Sequence, residues 1–198
     1  NKTEEMSINF MVVLEEISTA ILDSVGDALR KSKVQIELLT LSEEDLRSSM
    51  DVFPIKFLDI KRTHVIYCGK DVMSDLEISR DNLRLRCEQE IKNLMLRLRL
   101  NYVSRKQNSK SIASLLNRIY LSLIRNLGVL VELKSGDVLL TNSDIIEGAG
   151  KLGIATMALH DVEKLRQDKF SPELDDRKRL LEKVMQCVRD AAAMADKL

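Results

Sequence analysis

Residues 78–103 read ISRDNLRLRCEQEIKNLMLRLRLNYV, and the spacing of their apolar side chains decides the fold class. Leu83, Cys87, Ile91, Leu94, Met95, Leu98 and Tyr102 recur every three or four residues, which lays them along one stripe of a long helix. Arg, Lys and Glu take the opposite face, with Arg84 and Arg86 placed one helical turn before Glu88 and Glu90. That i, i+4 spacing supports an exposed, ion-paired surface.

Downstream of this stretch the helical period persists. Ser109 or Ser111 can cap the next helix, in which Ile112, Leu115, Leu116, Ile119, Tyr120, Leu123, Leu127 and Leu130 run to about Leu133. Only Ser114, Arg118, Ser122 and Arg125 form a narrow polar stripe, which marks the central helix of a bundle. Gly136, Gly148, Gly150 and Gly153 then punctuate two short helices, near 143–152 and 154–167. Ser171-Pro172-Glu173 combines a capping serine with proline at the first helical position, and Leu174, Leu181, Val184, Val188, Ala191 and Ala195 follow on one face.

Upstream the pattern is different. Ile8–Leu14, INFMVVL, is the continuous apolar run of a strand buried on both faces. Ile17, Ile21, Val25 and Leu29 describe one face of a helix over 15–31, and Val34–Leu39 reads as a second strand. Thr40 or Ser42 followed by Glu43, Glu44 and Asp45 starts a helix that ends near Met50. Phe53–Cys68 mixes aromatic and β-branched residues around Pro54, which predicts one bent strand or two short ones. The expected fold class is α+β with helix dominant: a small mixed α/β lobe, 1–75, followed by an antiparallel helical bundle, 76–198.

Equal numbers of basic and acidic residues, 31 of each, leave no net field to draw the chain onto nucleic acid or an anionic membrane. No apolar run is long enough to span a bilayer, since Ile119–Val131 contains Arg125 and is too short. Cys68, Cys87 and Cys187 are odd in number and widely spaced, which argues for reduced thiols and a cytoplasmic setting rather than disulfides or zinc. The chain opens on Asn1 without a signal-like segment, as expected of a fragment or the ordered part of a longer protein.

Several groups could carry chemistry. His64 stands near Asp59, Lys61 and Arg62, a concentration able to bind an anion or shuttle a proton, or else one exposed strand face. His160 beside Asp161 reads as a surface or capping residue. Gly148-Ala149-Gly150-Lys151 lacks the flanking spacing of a phosphate loop and reads as a helix end. Arg118 and Arg125, on an otherwise apolar helix, must snorkel, pair, or line a cleft between the lobes.

The run SSMDVFPIKFLDIKRTHVIYCGKDV, 48–72, followed by ISRDNLRLRCEQEIKNLMLRLRLNYV, resembles bacterial and archaeal proteins with a nucleotidyltransferase domain of the polymerase β type and a helical C-terminal domain. The resemblance covers most of 7–105. In that superfamily a Gly-Ser turn precedes a strand bearing Asp-x-Asp or Asp-x-Asn, and a third carboxylate on the neighbouring strand completes a site for magnesium and a nucleoside triphosphate. The resemblance places Ser7 at the first aspartate and Asn9 at the second, with Glu37 as the third carboxylate and a candidate metal ligand. It makes Asn9 and Glu37 the catalytic candidates and Ser7 a nucleotide-binding one, to which the local reading of the residues adds Asp59, Arg62, His64, Arg118 and Arg125 as nucleotide-binding candidates. One strong ligand of three cannot hold magnesium against a triphosphate, so the expectation is a protein inactive as presented, with magnesium bound only if a fuller chain is active. The alternative is an interaction module on a decayed lobe, with a homodimer formed through the helical domain. A toxin-type helical ribonuclease is disfavoured because no Arg-x4-6-His element is present.

Overall fold

The computed structural model describes residues 8–104 and 108–198, which divide into two compact units meeting in sequence at Ile78 and Ser79. Helix dominates both, and among the described residues the sheet has two strands.

The first unit begins with strand β1 (Ile8–Leu14), helix α1 (Thr19–Lys31) and strand β2 (Ile36–Ser42). The strands pair in parallel from Ile8 opposite Ile36 to Leu14 opposite Ser42, with α1 as the crossover that a parallel pair requires. Met11, Val13 and Leu41 pack on a small core of Leu46, Met50, Phe57 and Met73. On the other face Ile8 and Phe10 remain exposed, and α1 buries none of its residues fully. Helix α2 (Glu43–Ser48) starts at a complete capping box: the Ser42 hydroxyl accepts from the Asp45 amide at 2.9 Å, and Asp45 accepts from the Ser42 amide at 3.0 Å.

The strand expected over Phe53–Cys68 is instead helix α3 (Pro54–Thr63). Pro54 occupies its first turn, where the missing N–H has no partner to lose and the fixed φ suits a helix. Ile55 and Phe57 are buried, so β-branched and aromatic residues that look strand-like in isolation serve here as the inner face of one short helix. Val65 and Tyr67 follow it without entering a ladder, each 89% exposed.

The second unit consists of α4 (Arg80–Val103), α5 (Ser109–Ser135), α6 (Asn142–Lys151), α7 (Ala158–Arg166) and α8 (Leu174–Ala195). Helix α5 is central, packing against each of the other four. Its cap is Asn108 rather than Ser109 or Ser111; the Asn108 Oδ1 accepts from the Ser111 amide at 2.9 Å. Helix α8 likewise begins two residues later than Ser171-Pro172 suggests and has no side-chain cap. Arg177 ties that turn down instead, donating to the carbonyls of Pro172 at 2.7 Å and Ser109 at 2.8 Å.

Helix α4 buries Leu83, Cys87, Ile91, Leu94 and Leu98, as its period predicts. Its outer face is less polar than expected, because Leu85, Leu96, Leu100 and Val103 lie exposed there among the charges. Gly148, within α6, lies so close to Leu139 and Val131 that an added Cβ would meet the Leu139 Cδ1 at 2.5 Å. Gly148-Ala149-Gly150-Lys151 is therefore helix and packing surface rather than a phosphate-binding loop.

Candidate functional site

The parallel ladder sets Asn9 directly opposite Glu37. Register partners on adjacent strands project to the same face, about 5 Å apart, so the two catalytic candidates stand side by side. They share the face of Met11 and Val13, near the amino ends of the strands, and both are exposed. Ser7 lies outside the described residues.

What this pair offers a metal is one carboxylate and one neutral amide. A divalent ion bridging phosphates needs several anionic oxygens, and no group of three or more His, Cys, Asp or Glu able to hold a metal occurs among the described residues. Magnesium does not fit the residues present. The carboxylates that do converge lie at the opposite ends of the strands, where Glu15, Glu43 and Glu44 line a shallow depression with Arg47 and Ser48. Arg47 pairs with Glu43 at 3.4 Å.

Asp59, Lys61, Arg62 and His64 fall at the end of α3 rather than along a strand, so they do not alternate across a sheet. His64 is the C-cap residue, with Nδ1 3.0 Å from the Ile60 carbonyl oxygen and 3.1 Å from that of Lys61. Its Nε2 lies 3.2 Å from Asp71 Oδ1. The same Asp71 oxygen accepts from the amides of Met73 and Ser74 at 3.0 and 3.1 Å. Desolvation pushes the Asp71 carboxyl upward, but those two amides and His64 outweigh it and hold the group below the usual range. Lys61 donates to the carbonyls of Ser74 at 3.0 Å and Leu76 at 2.6 Å, so Lys61 of α3 and its C-cap residue His64 fasten the segment that follows. No periodic signal in the sequence marks Asp71 as the partner of His64, because the contact closes an irregular loop.

Arg118 and Arg125 lie two turns apart on the exposed side of α5. The bundle's buried polar groups are elsewhere. Tyr120 is 2% exposed, and the Arg166 guanidinium lies 5.1 Å from its ring centre. Arg166 also donates to the Asn117 carbonyl at 2.9 Å, and Asn142 donates to Glu163 at 3.3 Å. Burial, with the Glu163 carboxylate nearby, pushes the Tyr120 phenol up to about 12. The apolar period of α5 hides this cluster, since Tyr120 falls on the buried stripe like any core residue. His160 lies in the first turns of α7, half-buried.

Among the described residues no helix is long and apolar enough to cross a membrane. No protein-family model, curated protein or solved structure matches the chain.

Proposed function

We propose that the chain is a nucleotidyltransferase-like protein, inactive as presented because it lacks the metal-binding carboxylates, with a small α/β lobe followed by an antiparallel helical bundle. The pairing of Asn9 with Glu37 carries this reading, because it reproduces the adjacency such a centre needs while supplying one carboxylate. A single carboxylate cannot neutralise the charge that develops on a transferring phosphoryl group. Three free thiols suit a reducing, cytoplasmic setting.

The test is calorimetric titration of the encoded protein, including any residues before Asn1, with magnesium and each nucleoside triphosphate, together with an assay for pyrophosphate release. The expected outcome is no magnesium-dependent release. Release that disappears on Glu37→Gln would overturn the reading and establish the enzyme.

A second reading, self-association through the helical unit, is favoured by α4. Leu96, Leu100 and Val103 follow one another at i, i+4 and i+7 on the face opposite the core, and Val103 is 79% exposed. Sedimentation equilibrium tests it: a dimer weakened by Leu100→Glu supports it, and a strict monomer at high concentration removes it.

A further inference from the structure

Every acceptor around His64 is an oxygen. Nδ1 faces two backbone carbonyls, those of Ile60 and Lys61, and Nε2 faces the carboxylate of Asp71. A neutral imidazole carries one N–H and one bare lone pair, whichever tautomer it adopts. If Nδ1 keeps the proton, the Nε2 lone pair points at the Asp71 oxygen; if Nε2 keeps it, the Nδ1 lone pair points at two carbonyls. Only the imidazolium donates in both directions.

The contact closes the base of a loop. Between His64 and Asp71 the chain presents Val65, Ile66, Tyr67 and the free thiol of Cys68, all exposed. The Tyr67 ring meets Phe10 edge-on at 6.3 Å. Met73, just beyond Asp71, is 1% exposed and belongs to the small core of the unit. The Asp71 end of the loop is therefore anchored, and the His64 end is anchored by α3.

We propose that His64 and Asp71 form a proton-operated clasp: protonation of His64 locks the base of the 65–70 loop, and its loss releases the loop and the apolar side chains that it carries. The charged residues of the two segments are few. Asp71 faces the ring, and the Lys61 ammonium is held by the Ser74 and Leu76 carbonyls. Lys56, Asp59 and Arg62 complete the set on α3, with Lys70, Asp75 and Glu77 on the loop side. Asp71 is held as a carboxylate by the Met73 and Ser74 amides, so the proton that completes both contacts is the one on the imidazole, and the clasp closes as the pH falls and opens as it rises. This inference is independent of any nucleotide chemistry and does not depend on the proposed function.

Limited thermolysin digestion of the full chain, followed by mass spectrometry of cuts at Val65 and Ile66, tests it between pH 5.5 and 8. Comparing wild type with His64→Gln in the same buffer cancels the protease's own pH profile. The expected result is cleavage about tenfold slower in wild type at pH 5.5 and equal rates at pH 8, since a charge-assisted hydrogen bond is of that order. Asp71→Asn should abolish the difference while leaving an oxygen for the Met73 and Ser74 amides. Circular dichroism confirms that both variants fold, and for a variant that does not, the nitrogen chemical shifts of the wild-type ring report the same event. Two protonated ring nitrogens coinciding with slow cleavage support the clasp. Equal cleavage at both pH values while the ring titrates, or a pH effect that survives in Asp71→Asn, overturns it.

Discussion

Cys87 and Cys187 are fully buried, and desolvation pushes both thiols up to about 12. Cys68 is exposed. Thiolate, not thiol, attacks an alkylating reagent, so iodoacetamide at pH 8 should modify Cys68 alone in the native protein and all three cysteines in urea, as peptide mass spectrometry would resolve. The same burial makes the helical unit sensitive to alkali. These groups titrate higher when folded than when unfolded, so the stability they contribute is fully present below their unfolded values and is lost as the pH climbs from about 9 toward 12. Tyr120 adds to the effect in the same direction. Urea midpoints measured by circular dichroism should therefore fall between pH 8 and pH 10.5, and a flat profile would contradict the burial of these thiols.

At the level of elements, two substitutions separate local from tertiary stabilisation. Ser42→Ala removes the hydroxyl that caps α2 and should cost about 1 kcal/mol, read from chemical denaturation. Leu127→Ala on α5 empties a fully buried position where the central helix meets its neighbours and should cost about 2 to 5 kcal/mol. How legible these elements are in the sequence depends on their length. Helices α4, α5 and α8 repeat their apolar period over many turns, so their stripes can be read directly, and the buried residues of α4 coincide with the predicted face. Helix α3 is ten residues long, too short for its period to outweigh the strand-like character of Phe57 and Ile60. Pro54 was the better guide there, because position decides what proline does. Pairwise geometry is the least legible. Asn9 and Glu37 are assigned to neighbouring strands through resemblance, but their register comes from the ladder, and the His64–Asp71 contact depends on a loop path that no periodicity encodes.

For the whole molecule, the two units differ in how much core they own. The second, 79–198, buries apolar side chains from all five of its helices around α5, enough for a domain to fold alone. A protein comprising only those residues is expected to unfold cooperatively with the helical signature of α4–α8, checked by circular dichroism and calorimetry, and a molten profile would refute this. Among its described residues, the first unit has a four-residue buried cluster and a two-stranded sheet covered on one face. So small an apolar core leaves little margin over the entropy of ordering the chain.

The parallel pairing of β1 with β2 also has a kinetic consequence. A hairpin can zip from its turn, but these strands meet only after residues 15–35 have been closed into a loop, and α1 has no fully buried residue to hold that loop in advance. Sheet formation is thus expected late in folding, after the local helices α2 and α3. Mutations in the ladder should accelerate unfolding far more than they slow folding. During that interval the chain exposes INFMVVL as an unpaired apolar segment, which makes β1 the stretch most exposed to mispairing before the native ladder closes.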